Sequence, residues 1–216
     1  MADVRRSLRA SLRARRRAVA PAERARAARQ VALHADHALS LRSGRRIGIY
    51  AATAEELDTS CLITLALRRG CLVYLPRIDR RAHVPTMCFA RLTDWEPAIE
   101  PPPTCRSTRP AARALRSNRF GIAEPQGPQL ASARLLDVVF LPLVGFDRYG
   151  TRLGMGGGYY DRAFGFRRLR TLWHSPLLIG IGYASQQVDR IAPAAHDVPL
   201  DHVITEHGVI RCERAG

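Results

Sequence analysis

The chain has 216 residues, 46% of them hydrophobic and 25% charged. A chain of this length buries about 70% of its unfolded surface without disulfides or metal staples, and the composition excludes wholesale disorder. All 34 basic residues behind the formal charge of +15 are arginines, and the absence of lysine excludes a Walker-type lysine, a Schiff-base lysine and a lysine general base.

Val4, Leu8, Leu12 and Val19 recur near helical spacing and predict an amphipathic helix over 2–19 with an arginine-rich outer face. Pro21 opens a second helix, with Glu23 at its positive end, running to about residue 41. A short strand follows at 47–50, and a helix at 62–67 is stopped by Gly70. Residues 71–75 read as a strand closed by Pro76, and 84–90 as another that Pro85 weakens. The Pro-, Arg- and Ser-rich stretch 97–128 is predicted as a crossing segment or long loop outside the core. Residues 137–141, ended by Pro142, form the continuous apolar run of a strand buried on both faces of a parallel sheet. A long loop over 145–158, a helix over 161–172 and strands at 177–183 and 203–205 complete the pattern. This alternation, without internal repeats, predicts one α/β domain over 1–216 with a mostly parallel sheet and an N-terminal helical segment. Ligands of such sheets collect beyond the carboxyl ends of the strands, where the 145–161 loop falls.

The apolar runs around 138–144 and 177–181 are too short to cross a bilayer, and the charged N-terminus reaches no apolar signal core. Cys61, Cys71, Cys88, Cys105 and Cys212 are odd in number and contain no CxxC pair, as free thiols of a reducing compartment do. A cytoplasmic location with no membrane partner is expected. Residues 1–29 hold ten arginines against Asp3 and Glu23, a net of +8. This head reads either as a nucleic-acid or acidic-membrane arm or as a solvated helix; it has neither interleaved aromatics nor a DNA-reading motif.

Residues 152–161, RLGMGGGYYD, are the most informative run. Four glycines (Gly154, Gly156, Gly157, Gly158) within five positions let backbone amides approach a bulky anion, and such nests favour phosphate. The helix predicted to follow adds its positive end. Arg152 offers a two-pronged grip on phosphate oxygens, and Asp161 either holds a magnesium ion or caps the helix. The run has no Lys-Ser/Thr and lacks the spacing of a dinucleotide fingerprint.

Phe140-Leu141-Pro142-Leu143-Val144-Gly145-Phe146-Asp147, then Gly150 and RLGMGGGYYDR at 152–162, resembles the signature of the 5-formyltetrahydrofolate cyclo-ligase family, the methenyltetrahydrofolate synthetases. The similarity extends upstream to Arg5-Arg6-Ser7-Leu8-Arg9, Glu55-Glu56-Leu57-Asp58-Thr59 and Leu75-Pro76-Arg77. Downstream it takes in Gly182-Tyr183-Ala184-Ser185-Gln186-Gln187 and His196-Asp197-Val198-Pro199-Leu200-Asp201, so it covers nearly the whole chain.

The resemblance implies a three-layer α/β/α fold and ATP- and magnesium-dependent cyclisation of 5-formyltetrahydrofolate to 5,10-methenyltetrahydrofolate, releasing ADP and phosphate. It implies that Arg5, Arg6, Ser7, Leu8 and Arg9, together with Arg152, Leu153, Gly154, Met155, Gly156, Gly157, Gly158, Tyr159 and Tyr160, contact ATP. Asp161 and Asp197 would serve Mg2+; Ala51, Glu56 and the loop positions Met155 to Tyr159 would line the folate pocket, with Arg152 and Tyr159 closest to the chemistry. Phosphoryl transfer needs positioning and charge neutralisation rather than a covalent nucleophile, which suits arginines, amides and a metal. Glu56 suits the N–H groups of a pterin, and Tyr159 suits packing on a ring or orienting the formyl group. Asp197 reads alternatively as a turn residue before Pro199. Two positions depart from the family pattern: Arg5 stands where lysine is common, and Met155 where an aromatic or basic residue is usual. The expected partners are ATP and 5-formyltetrahydrofolate, with or without a polyglutamyl tail, bound by a monomer or weak dimer and without nucleic acid. The alternative is a basic nucleic-acid-binding protein using the arginine-rich N-terminus, whose binding collapses with salt and turns over no ATP.

Overall fold

Two helices open the chain, α1 (Ala2–Ala18) and α2 (Pro21–Leu39). The structure, a computed structural model, describes residues 2–79, 86–93, 115–117, 123–125, 128, 132–169 and 175–213. Pro21 takes the first helical position of α2, where its missing N–H is no loss, and Ala20 adopts the extended conformation that precedes proline (φ −63°, ψ 149°). α2 stops where Ser40 turns left-handed (φ 47°) and its N–H returns to Asp36 O. Ala27, Ala28, Val31, Ala32 and Ala35 form its buried stripe. On α1, Leu12 is buried and Leu8 half-buried, and Val19 just beyond the helix packs on the main core, but Val4 is 71% exposed, so the apolar stripe begins one turn later than the spacing suggests.

Next come β1 (Arg46–Gly48), α3 (Ser60–Arg68), β2 (Leu72–Asp79), β3 (Thr86–Arg91), β4 (Leu115–Ser117), β5 (Ala123–Pro125) and β6 (Val138–Pro142). They are followed by β7 (Gly145–Phe146), β8 (Arg152–Leu153), α4 (Tyr159–Ala163), β9 (Leu177–Ile181), β10 (His202–Thr205) and β11 (Gly208–Arg211). Seven strands form one sheet in the order β11-β10-β9-β6-β1-β2-β3. The five inner strands run parallel, and antiparallel β11 and β3 close the edges. β6 shows why a continuous apolar run was needed. Val138 and Phe140 enter the core under α2 and α3, whereas Val139 and Leu141 enter a second core with Phe164, Val198 and Leu200 on the opposite face.

Several boundaries differ from the sequence reading. β2 continues through Pro76 instead of ending there. Tyr74 O accepts from Ile49 N, so residues of the same parity face β1; β1 ends opposite Tyr74, and the N–H that Pro76 lacks would point past it. The 145–158 loop contains the β7–β8 hairpin, with Gly145 paired to Leu153. The helix predicted over 161–172 is only the five residues of α4, followed by a 3-10 segment at Gly165–Leu169. β4 and β5 pair within the stretch read as loop, and β11 was not foreseen. Pro85 and most of 97–128 lie outside the described residues, as does Cys105. Among the described residues, Cys61, Cys71, Cys88 and Cys212 form no disulfide, and no helix is long and apolar enough to cross a membrane.

Candidate active site

A cleft of about 670 Å³ opens beyond the carboxyl ends of the parallel strands. Tyr50 and Ala51 line it after β1, Pro76 and Ile78 from β2, and Pro142, Leu143 and Val144 at the end of β6. α1 and the glycine loop form two further walls. Five arginines (Arg5, Arg6, Arg9, Arg16 and Arg152) meet three carboxylates there (Glu56, Asp161 and Asp197), so the cleft carries a positive excess suited to a polyphosphate.

Arg5 and Arg9 lie one turn apart on α1. Arg5 grips Asp197 Oδ2 with both Nη1 and Nη2 at 3.0 Å, and Arg9 Nε donates to Gly154 O at 2.9 Å. These contacts tie the N-terminal helix to the glycine loop and to the 191–200 segment. Arg6 reaches the cleft and holds the exposed Asp3 at 3.5 Å. Ser7 is exposed and Leu8 packs near Leu12 and Val144; neither lines the cleft.

Arg152 sits in β8, where the hairpin fixes its direction. Nη2 meets Asp161 Oδ1 at 2.7 Å, Nη1 meets Val198 O at 3.2 Å, and Val198 N donates to the same Asp161 oxygen at 3.1 Å. Asp161 therefore ties the loop to the 191–200 segment instead of capping α4. Asp147 makes the same join from beneath. Its buried carboxylate accepts Tyr149 N, Thr151 N and Ile191 N at 2.9–3.0 Å. That is how Asp161 and Asp197, distant in sequence, come to line one cleft. Leu153 is wholly buried, so of the loop residues only its neighbours face a ligand. Gly156 (φ 101°) and Gly158 (φ 62°) take conformations open to glycine, and Gly158 turns the chain into α4. With five residues, α4 adds little dipole to the loop, so the anion attraction rests on arginines and loop amides. Met155 is 59% exposed at the loop tip. Tyr159 lies under Arg162 (4.9 Å) and Tyr160 stacks near Phe164 (6.5 Å); burial pushes the Tyr160 phenol well above its ordinary value, so it stays protonated.

The donor set fits magnesium. Among the described residues no cluster of three or more His, Cys, Asp or Glu could hold a metal alone. Two carboxylates are what magnesium takes from a protein when substrate phosphates and water complete its shell. The inner oxygen of each, Asp161 Oδ1 and Asp197 Oδ2, is held by an arginine, and Asp197 Oδ2 also accepts Ala194 N at 2.9 Å in a turn before Pro199.

Glu55 and Glu56 separate cleanly. Glu55 turns to α1, where Arg13 and Arg16 reach it at 3.1 Å and Arg17 at 3.6 Å; the Arg13 hydrogen bond holds its carboxyl below the usual range. Glu56 faces the cleft beside Ala51 and accepts Thr53 N at 2.9 Å and Thr53 Oγ1 at 3.1 Å. Sequence reasoning missed Arg16 and Tyr50 as cleft residues; for Arg16, the signal was an arginine one turn beyond Leu12 on the apolar stripe.

The model of the 5-formyltetrahydrofolate cyclo-ligase family matches residues 1–206. The chain belongs to this family. It is 30% identical over 198 residues to the 5-formyltetrahydrofolate cyclo-ligase of Escherichia coli K12, covering 90% of this chain and 96% of that one. The Haemophilus influenzae enzyme of the same name is 30% identical over 182 residues, 82% of this chain and 84% of that one. The NMR structure of Aquifex aeolicus 5,10-methenyltetrahydrofolate synthetase superposes with a TM-score of 0.74 at 25% identity, covering 99% of this chain and 95% of that one. The Mycoplasma pneumoniae synthetase, at 20% identity and TM-score 0.65 over 94% of this chain and 98% of that one, shares the fold. The cyclo-ligase is thus an enzyme, and its family indicates conversion of 5-formyltetrahydrofolate to 5,10-methenyltetrahydrofolate.

Proposed function

We propose that this cyclo-ligase couples the ring closure to ATP, phosphorylating the formyl oxygen before N10 attacks. The observation that carries the reading is one cleft in which Arg5, Arg9, Arg152 and the glycine loop surround two arginine-held carboxylates. A formamide oxygen is a poor leaving group and must be activated. It bonds to the γ-phosphorus as the bond to the β-phosphate breaks and ADP leaves. N10 then bonds to the formyl carbon and loses its proton, and cleavage of the carbon–oxygen bond releases phosphate. Arg152, Arg5 and Arg9 spread positive charge over the transferring group, and loop amides from Gly154 to Gly158 hold its oxygens. Asp161 and Asp197 would hold magnesium, which supplies charge neutralisation on the phosphates when bound. Glu56 accepts from the pterin N–H groups, Ala51 and Met155 line the same pocket, and Tyr159 orients the formyl group. Arrival of a triphosphate gives Arg5 and Arg152 a second anion beside their aspartates, so the cleft carries its counter-charges before substrate arrives. The chain works in this reading as one domain over 1–216, a cytoplasmic monomer or weak dimer that binds neither membrane nor nucleic acid.

Heavy-oxygen label in the formyl group tests the order of steps. The label is expected in the released phosphate; label lost to water or retained elsewhere contradicts phosphorylation of that oxygen.

A further inference from the structure

α1 buries an arginine where its own pattern calls for a hydrophobic residue. Leu8, Leu12 and Val19 face inward, and one turn after Leu12 stands Arg16, only 2% exposed yet part of the cleft wall. Its Nη2 reaches Glu55 Oε2 at 3.1 Å, but Glu55 also serves Arg13 and Arg17, so one carboxylate answers three guanidinium groups. Arg16 Nε is buried without a partner. A buried, under-compensated cation with an unmade hydrogen bond is costly, and an apolar side chain would be more stable there.

Among the described residues, no other group near Arg16 relieves it. Tyr50 Oη donates to Leu57 O at 3.1 Å, and the buried Tyr183 hydroxyl has no partner. Burial pushes both phenols up, so neither becomes a counter-ion near neutral pH. Glu56, the remaining acid of this end of the cleft, is engaged by Thr53. Because Arg16 forms part of the cleft wall, a guest bound there can supply the missing acceptor.

We propose that Arg16 is a substrate-binding residue that donates to the lactam carbonyl oxygen of the pterin, while Glu56 accepts from the adjoining ring N–H and amino groups. This rests on the cyclo-ligase reading with Glu56 at the pterin. A lactam edge presents an acceptor beside donors, and a guanidinium next to a carboxylate is its complement. A 2,4-diaminopteridine, in which an amino group replaces that oxygen, sets donor against donor and is disfavoured.

Calorimetric titration of 5-formyltetrahydrofolate and of its 4-amino counterpart, without ATP, tests this in the wild type, Arg16→Leu and Glu55→Gln. Arg16→Leu is expected to keep or raise Tm, to weaken 5-formyltetrahydrofolate binding about tenfold or more, and to leave the KM for ATP within about threefold. The preference over the 4-amino compound is expected to shrink with it, while Glu55→Gln keeps both affinities within about threefold. Should Arg16→Leu fail to fold, Arg16→Gln is judged by the same affinities. Unchanged binding in the Arg16 variant, an equal loss in Glu55→Gln, or an equal loss for both ligands overturns the inference while a cyclising wild type leaves the cyclo-ligase reading intact. A wild type that binds no 5-formyltetrahydrofolate overturns both.

Discussion

At the scale of single residues, Arg152 and Asp161 divide structural and chemical duties unequally. Arg152 is 5% exposed and spends its guanidinium on Asp161 and Val198 O, so Arg152→Ala strands a carboxylate and a carbonyl. It is expected to cost about 3 kcal/mol of stability in addition to activity, read by thermal unfolding beside kcat. Asp161→Asn keeps an oxygen for Arg152 and Val198 N while removing the charge. It is expected to lower kcat about 100-fold and, because the buried Arg152 loses its counter-ion, to lower Tm in a protein that still folds. Normal turnover in Asp161→Asn contradicts a metal role for this carboxylate. Residue types alone carried this far: the arginines, the acids and the glycines of the loop were legible because their chemistry is local. Arg16 was not, because only its burial and its overcommitted partner Glu55 distinguish it from the many arginines on the outer face of α1.

At the scale of elements, α1 is the part of the site most exposed to loosening. It is held by Leu12 against Val144, Leu153 and Ile191, and by arginine contacts to Asp197, Gly154 and Glu55. Leu12→Ala is expected to cost about 3 kcal/mol and, because Arg5 and Arg9 ride on the same helix, to raise the KM for ATP more than that for folate. Unchanged KM values in a folded variant contradict the helix's role. Glu55 ties the docking to pH. Its folded carboxyl titrates below the ordinary glutamate value, so its contribution is full above that value and lost as pH falls through the lower one. Tm is expected to drop in that acid window, with a shallower drop in Glu55→Gln; identical acid profiles contradict it. The turn of the β7–β8 hairpin offers a separate check. Gly150 sits at φ 83° with Leu200 O only 2.6 Å from where a Cβ would stand, so Gly150→Ala is expected to cost about 2 kcal/mol or more in denaturant unfolding. These elements also show what the sequence concealed. Apolar periodicity located the inner strands, but the helix after the loop was overread. Gly165 lies near the end of α4, and Arg167 is drawn instead to Asp201 at 2.6 Å. β11 alternates half-buried with exposed residues over only four positions, too weak a pattern to stand out.

At the scale of the whole molecule, half of the ten arginines that suggested a nucleic-acid arm are engaged within the molecule, and the other half stay exposed. Arg5, Arg9, Arg13, Arg16 and Arg24 spend their guanidinium groups on Asp197, Gly154, Glu55 and backbone carbonyls. Helix α1 serves as a wall of the cleft. The parallel sheet and the place of the cleft at its carboxyl ends were legible from the alternation of elements. The meeting of Asp161 with Asp197 in one cleft came from the family resemblance alone, because Asp147, Ile191 and Val198 fold the 191–200 segment over the hairpin through contacts no local pattern records. The most direct measurement follows methenyl absorbance and ADP together in purified protein given 5-formyltetrahydrofolate, ATP and magnesium. The account predicts one ADP per methenyl product and neither without the other substrate. Methenyl product without ATP, ADP without product, or no product from folded protein contradicts it.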